Sequence, residues 1–344
     1  MSDVILTGRI TALEPLHIGT GIKLGNFLPT LDYIPARAIR GMLGNYLYST
    51  NRSLFDELKL SEDNRPIVFF KPGIYEGFVR APMLLRACKC CEKILGQNVD
   101  ECPDCKQDGK EMEGWIERSW KIGERVKKHG SIKTTNTKCP IMPTTHTSPP
   151  KDADLAPYNV EALHRNTRFE FRIVLPEKYA EDVKTAMQEA GVLYGVGGFR
   201  SRGYGSVYIE FEREENVEKY EERRKKEIEK MSTNGLLLIL NSPAVMKMDE
   251  HGEIFSFRKE DFSRYLNKTG FTNPQVVVER QKVKVTIARG WTIRGTSRLD
   301  VLYPALAEGS SCEINLSPEI AVHLEVYGVG FLNHIYGDVY FRGL

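Results

Sequence analysis

Tyr194–Ile209 reads YGVGGFRSRGYGSVYI, and Tyr327–Phe341 reads YGVGFLNHIYGDVYF. One single-residue gap, placed at Gly198, brings the two into register, and both close on Tyr-Gly-x-Val-Tyr. A motif carried twice predicts two copies of one supersecondary unit, each with a glycine-rich loop running into a strand. The first copy keeps Arg200, Arg202 and Gly203, and the second has Leu332, Asn333 and Ile335 around the matching places. The first therefore reads as a working loop and the second as its worn structural relative.

Outward from the first copy, Phe169, Phe171 and Ile173 alternate with charged residues, the period of a half-buried strand. Pro176 sits where a first-turn proline is tolerated, and a helix runs from there to about Ala190, with Gly191 as its stop. The loop and a strand over Ser206–Phe211 follow. Near the N-terminus, Val4–Leu13 reads as a strand, and Ala36–Ser49 has helical spacing of Ile39, Leu43 and Leu47. The order is strand-helix, an insertion, then strand-helix-strand. It predicts an α+β chain built of two ferredoxin-like, RRM-like βαββαβ units with glycine-rich loops. The first spans residues 1–212, with a cysteine insertion at 88–110 and a basic irregular segment at 111–150. Residues 213–234, rich in Glu, Lys and Arg, read as an exposed helical linker. The second unit spans 235–344, opening at Leu236–Leu240 and holding one long strand over Gln275–Ile287.

A length of 344 residues, 41% hydrophobic and 27% charged, is that of a globular protein able to bury two cores. The absence of a long apolar run and of a signal-peptide pattern predicts a cytoplasmic protein with no membrane partner. A net charge of +2 excludes little, since a local basic surface can hide behind acidic segments. Trp115–Lys138 carries seven Lys/Arg against two Glu, and reads either as a basic surface or as a loop without a ligand.

Five of the seven cysteines fall within eighteen residues. Cys88-x-x-Cys91 and Cys102-x-x-Cys105 present four thiolates from two tight knuckles, which suits tetrahedral structural zinc. Pro103-Asp104 favours the turn of the second knuckle, and Cys90 competes with Cys88 or Cys91 for a ligand place. Four cysteine ligands leave no open coordination position, so the metal would staple the insertion rather than catalyse.

Glycines let a backbone approach a ligand closely and expose its N–H groups, which suits phosphate. A dinucleotide fingerprint needs a strand before the loop and a helix after it, the reverse of the order here. Arg202-Gly203-Tyr204-Gly205-Ser206-Val207 overlaps in part the strand signature of RNA-recognition motifs, with Ser206 in place of an aromatic. Tyr204 is then a candidate to stack a base, and the arginines to reach phosphates.

Three separated motifs resemble the RAMP superfamily of CRISPR-associated proteins, subunits of RNA-guided effector complexes. They are Leu16-His17-Ile18-Gly19-Thr20-Gly21, then Asp32-Tyr33-Ile34-Pro35-Ala36-Arg37-Ala38-Ile39-Arg40-Gly41, then the Gly195–Gly205 loop. Ala307-Glu308-Gly309-Ser310 and the Gly328–Gly337 loop resemble the second half of two-unit members. The family pattern usually has Pro-Gly in the second motif, and here Ala36 follows Pro35. Within the superfamily the chain resembles the type III, III-D-like subunit that caps the backbone and holds the guide RNA's 5′ handle. That resemblance implies a guide-RNA surface of His17, Arg37, Arg40, Gly197, Gly198, Arg200, Arg202, Gly203, Tyr204 and Gly205. It also implies a large polymerase-like catalytic subunit and backbone subunits as partners.

Some members of the superfamily cut RNA with a histidine acting on the 2′-hydroxyl or with an aspartate of a backbone subunit. His17, His146, His164 and Asp32 are the candidates here, and an acid–base site needs a second group within hydrogen-bond reach. The expectation is a non-catalytic RNA-binding subunit, with a ribonuclease and a protein-binding scaffold as the alternatives.

Overall fold

The computed structural model describes residues 2–21, 24–61, 66–96, 99–129, 141–146, 158–231, 235–246, 256–294 and 297–344. The chain folds into two compact units, Met1–Glu76 with Gly130–Glu214, and Gly77–His129 with Glu215–Leu344.

In the first unit, the strand Asp3–Ala12 pairs antiparallel with Arg168–Pro176, from Asp3 opposite Pro176 to Thr11 opposite Arg168. Val207–Asn216 lies on the other side of Asp3–Ala12, and Phe69–Phe70 and Ile74–Tyr75 pair with Arg168–Pro176. Helices Ala36–Thr50 and Ala180–Leu193 bury the faces that their spacing defines, Ile39, Leu43 and Leu47 on one and Val183, Met187 and Ala190 on the other. A second sheet pairs Ile141–His146 with Tyr158–Leu163, which runs parallel to Phe27–Leu28.

The second unit repeats the plan. Leu236–Leu240 lies between Val339–Gly343 and Ser311–Asn315, with Val277–Lys282 outside the latter. Helices Lys259–Lys268 and Pro318–Tyr327 occupy the two helical places in chain order, and Val285–Arg294 pairs with Ser297–Leu306 as a separate hairpin. Numbered along the chain within each unit, the sheet order is the same in both: last, first, third, second. The first strands differ in pattern. Asp3–Ala12 alternates, with Thr7, Arg9 and Thr11 half-buried, whereas all five residues of Leu236–Leu240 are buried. Leu237 and Ile239 pack into a core supplied by residues 77–129, among them Val79, Ile116 and Trp120. A strand covered on both faces reads as a continuous apolar run, and one open on a face alternates.

Four expectations change. The cysteine insertion, counted by sequence within residues 1–212, groups with the second half of the chain, because its apolar residues cover Leu237 and Ile239. The segment 111–150, read as irregular, contains the strands Trp115–Glu117 and Lys128–His129, which form a sheet with Phe78–Arg80. Buried Trp115, Ile116, Trp120 and Val126 order it, and residues 130–140 and 147–150 lie outside the described residues. The long strand over Gln275–Ile287 divides in two, because Lys284 leaves the ladder to hydrogen-bond through its N–H to Ser310 Oγ and through its carbonyl to Ala307 N–H.

The fourth change concerns the charged linker. Val217–Met231 is a helix of the second unit, with Val217, Arg224 and Ile228 buried. Arg224 grips Glu325 through two bonds of 2.7 and 2.8 Å and donates to the carbonyl of Phe341 at 3.0 Å. Glu325 in turn accepts from the N–H of Phe341 at 2.9 Å. Burial alone would lower the Arg224 pKa, but the Glu325 carboxylate outweighs it and holds the guanidinium charged. Arg224→Ala leaves Glu325 buried without its counter-charge, and is expected to cost about 3–5 kcal/mol in urea unfolding. A change below about 1 kcal/mol would show that the pair contributes nothing to the fold.

Candidate functional site

Each glycine loop is fastened to its unit by the same backbone bonds. In the first unit Val196 N–H donates to Gly205 O at 2.7 Å, Gly198 N–H to His17 O at 2.8 Å and Gly205 N–H to Pro15 O at 3.0 Å. In the second, Val329 N–H donates to Gly337 O at 2.8 Å, Phe331 N–H to Val245 O at 2.7 Å and Gly337 N–H to Pro243 O at 2.7 Å. Gly197 and Gly330 have φ of 88° and 84°, and a Cβ on either would collide with the carbonyl oxygen of His17 or Val245. Glycine is required there by conformation and by space together.

These bonds correct the register of the repeat. Alignment of the letters puts the gap at Gly198, but hydrogen bonding pairs Gly198 with Phe331 and leaves Gly203 as the extra residue. Phe199 and Leu332 then coincide, both with φ of 58°. So do Arg200 and Asn333: Arg200 donates to the carbonyl of Tyr194 at 2.8 Å, and Asn333 to that of Tyr327 at 2.8 Å. Each closes the C-terminal end of the preceding helix, where a cation is additionally favoured by the helix dipole.

The tips of the two loops diverge. Arg200, Ser201, Arg202 and Gly203 are exposed, and a Cβ on Gly203 would meet nothing within 4 Å. In the second loop His334 and Ile335 are buried. Tyr265 donates from its hydroxyl to Gly328 O and accepts from Asn333 Nδ2, both at 2.9 Å, so that loop is packed into its own unit.

The residues proposed by sequence as an RNA surface divide into three groups. Arg200, Arg202, Gly197 and Gly203 lie exposed on the first loop, and Gly198 is half-buried beside them. His17, Tyr204 and Gly205 are buried and build the loop's base. His17 Nδ1 lies 2.8 Å from the carbonyl of Glu161, which only accepts, so Nδ1 carries the proton. Its ring meets the edge of Phe199 at 5.1 Å. The Tyr204 ring, a stacking candidate by sequence, is buried with Phe199 beside it at 6.0 Å, so its face is turned to packing. Arg37 and Arg40 are half-buried on the helix Ala36–Thr50, and Arg40 donates to the carbonyl of Leu60 at 2.7 Å. Asp32 is half-buried, and His164 lies exposed in the turn before Arg168–Pro176. Phe199 is the residue that sequence reading passes over: its left-handed backbone sets the tip, its ring joins His17 and Tyr204, and the Arg202 guanidinium lies 5.6 Å from it.

The sheet of the first unit presents the opposite charge. Tyr208, Glu210 and Glu212 point away from buried Val207 and Ile209. Arg9 reaches Glu76 and Glu212 at 2.7 Å and Glu210 at 4.0 Å, one cation among three carboxylates. Such a face repels phosphate, which leaves the loop tip as the better place for an anion.

The cysteines form a second site. The Sγ atoms of Cys88, Cys91, Cys102 and Cys105 all lie within 4.8 Å of one another, and Cys91 and Cys102 are 3.6 Å apart. Zinc–thiolate bonds of about 2.3 Å in a tetrahedron separate sulfurs by about 3.8 Å, so the donor set fits zinc. Two matching knuckles hold it. Glu92 N–H donates to Cys88 O and Lys106 N–H to Cys102 O, while Cys88 N–H donates to Lys93 O and Cys102 N–H to Gln107 O. Glu92 and Lys106 have φ of 58° and 53°. Backbone hydrogen bonding from Cys91 and Cys90 brings the Cys88 thiol down to about 7. Cys90 itself is exposed and outside the group of four. Lys93 and Asp104 tie the two knuckles together as an ion pair.

Comparison with known proteins agrees with the glycine loop and the motifs before it. The model of the RAMP superfamily matches residues 9–208, more than half of the chain, and the chain belongs to that superfamily. No curated protein matches it. Among solved structures it is similar to a chain of the type III-B Cmr-beta complex bound to cognate target RNA. That pair is 17% identical with a TM-score of 0.36, covering 62% of this chain and 61% of that one. A chain of the type III-B Cmr-beta complex in its apo state is 14% identical with a TM-score of 0.35, covering 60% of this chain and 96% of that one. This chain thus spans about three fifths of the first of these relatives. Among the described residues no helix is long and apolar enough to cross a membrane.

Two outcomes follow for the loop and the cluster. Gly197→Ala is expected to lose about 2 kcal/mol or more in thermal unfolding, and Gly203→Ala only about 1 kcal/mol, the cost of its left-handed backbone. Equal losses at both would show that His17 O does not limit the first position. Elemental analysis is expected to return about one zinc per chain, lost in Cys88→Ser and Cys102→Ser and kept in Cys90→Ser. Chelation is then expected to speed amide exchange in Leu236–Leu240, the strand whose face the insertion covers.

Proposed function

Starting from RAMP-superfamily membership, we propose that this chain is a non-catalytic subunit of a type III CRISPR RNA-guided effector complex. It binds the guide RNA's 5′ handle and caps the backbone filament, beside a large polymerase-like subunit and backbone subunits, in the cytoplasm. In this reading its two units are ferredoxin-like, supported by the β-α-β-β-α-β order and the matching strand order of each. The cysteine group holds structural zinc, supported by the spacing of the four sulfurs.

One observation carries the RNA assignment. Two loops share one backbone frame, and only the first presents an exposed tip with two arginines, while the second buries His334 and Ile335 at the matching places. A fold needs the frame; it does not need Arg202 exposed on it. Guanidinium groups beside close-approach glycines suit the phosphates of a single strand. The buried ring of His17, its Nδ1 committed to Glu161 O, supports a packing role over acid–base chemistry.

The second loop supplies the test. Arg200→Asn with Arg202→Ile installs the residues of the second copy, and Asn keeps the bond to the Tyr194 carbonyl that Asn333 makes in its own loop. In the assembled complex, RNA binding is expected to weaken. The slope of log affinity against log salt should flatten by about 1.4, two single-strand phosphate contacts. RNA recovered with the wild-type complex is expected to share one repeat-derived 5′ end. Unchanged affinity and slope in the double variant would sink the loop assignment, and cleavage lost in His17→Ala or Asp32→Ala would favour a ribonuclease.

A further inference from the structure

The internal duplication also isolates a side chain that the shared frame does not call for. His17 and Val245 stand at the same place: each gives its carbonyl oxygen to the glycine loop, to Gly198 N–H in the first unit and to Phe331 N–H in the second. Val245 does this with a fully buried aliphatic side chain. The frame uses only the backbone here, yet the first unit carries an imidazole.

That ring is held in one orientation. His17 Nδ1–H donates to Glu161 O at 2.8 Å, and the Glu161 carboxylate accepts from Thr30 N–H at 2.9 Å. Thr30 Oγ1 accepts in turn from Ile18 N–H at 2.8 Å, so Glu161 fixes both the imidazole and the backbone beside it. With the proton on Nδ1, Nε2 is an acceptor. It has no hydrogen-bond partner among the described residues, although His17 is only 6% exposed, and it is not sealed in. Two glycines leave room at it. A Cβ on Gly19 would meet only Nε2, at 3.5 Å, and a Cβ on Gly198 would meet Cδ2 at 3.5 Å and His17 O at 3.9 Å. Neither glycine has a positive φ, and Phe331 takes the place of Gly198 in the second loop. Conformation requires glycine at neither position, and the missing side chains keep the Cδ2–Nε2 edge of the ring clear.

Resting on the reading of this loop as a guide-RNA site, we propose that His17 Nε2 accepts a hydrogen bond from a ribose 2′-hydroxyl of the strand. An ionised phosphate has no proton to give an acceptor, so the ring reads a donor where the neighbouring arginines read backbone charge. The 2′-hydroxyl is the donor that every ribonucleotide carries close to its phosphate, and it is the group that sets RNA apart from DNA. Amino groups of the bases share this chemistry, and the test separates the two. The contact moves no proton, so His17 selects ribose without cutting beside it.

The test uses the assembled complex, reconstituted with its guide RNA and with guides that carry a single 2′-deoxy nucleotide moved along the 5′ handle. One position is expected to cost the wild-type complex about tenfold in affinity, the order of one lost hydrogen bond. His17→Asn puts an amide donor where Nδ1–H stands and nothing at Nε2, and is expected to bind the ribose and deoxy guides alike. Gly19→Val lies at an exposed position with φ outside the left-handed region, covers Nε2 and leaves the bond from His17 to Glu161 O in place. It is expected to lose the difference too. The ratio of the two affinities is the readout, because a variant that only loosens the fold weakens both guides and keeps the ratio. A ratio near one at every position in the wild type, or a ratio that survives both variants, overturns the proposal. An effect on removing a base amino group, with none on removing the hydroxyl, overturns it too. Arg200→Asn with Arg202→Ile is expected to weaken both guides and keep their ratio. If that double variant changes nothing while the ratio holds, the arginine assignment falls and the ribose contact stands; in the opposite case the ribose contact falls alone.

Discussion

The structure depends on one backbone clasp made twice. Gly198 N–H on His17 O and Phe331 N–H on Val245 O fix the glycine loop to the segment that leaves the first strand of each unit. The neighbouring Gly197 and Gly330 have no room for a side chain, because the carbonyl that accepts the bond lies where a Cβ would be. The clasp ties the end of the last helix to the first strand, and so fixes where the last strand can enter the sheet. A second duplicated turn works from the other side. Asn166 N–H donates to Ala12 O and Gly309 N–H to Leu240 O, with φ of 64° and 82° at the two donors. Two short runs of hydrogen bonds per unit therefore constrain the same topology from sequences that otherwise differ.

Once the frame is fixed, its surfaces are free to diverge, and the divergence follows cover. Arg9 and Thr11 stand in the first unit where Leu237 and Ile239 stand in the second, by the pairing of Ala12 with Leu240. Arg9 faces glutamates, and Leu237 and Ile239 face a core that includes Trp120 and Val79. Burying one more face of a sheet removes several large side chains from water at about 25 cal/mol per Å². That gain requires apolar residues on both faces and an insertion to supply the other half. The cysteine knuckles lie in that insertion, and Cys88 and Cys102 are buried against Leu95.

Local signals made the duplication, the strands Val4–Leu13 and Leu236–Leu240, the helix from Ala36 and the four clustered cysteines legible in sequence. Each rests on a pattern of residue types within a short stretch of chain, and such a pattern survives without knowledge of neighbours. What sequence misplaced depends on partners distant along the chain. Insertion 77–129 joins the second unit because Leu237 and Ile239 need covering, though more than a hundred residues separate them. The helix Val217–Met231 looks solvated by composition, since two of its three buried residues, Arg224 and Val217, are respectively charged and terminal. Its anchor is a buried ion pair, a signal that amphipathic spacing does not carry. The gap in the repeat went to Gly198 because two adjacent glycines invite it. Only the bonds to His17 and Val245 show that the residue without a counterpart is Gly203.

The same reasoning separates conformational requirement from chemical purpose in the loop. Phe199 at φ 58° would, taken alone, invite a functional account of backbone strain. Leu332 adopts the same angle in a loop whose tip is buried, so the strain belongs to the turn and not to a ligand. The bond from Arg200 to the Tyr194 carbonyl is likewise structural, since Asn333 makes it without charge. Arg202 is different in kind: its counterpart Ile335 is buried, and nothing in the shared frame calls for a guanidinium there. An exposed cation at a position the frame does not require, in a unit whose sheet face is crowded with carboxylates, makes the loop tip a better place for an anion than that face. An internal copy thus serves as a control for its twin, and what the control lacks is charge and exposure at one tip.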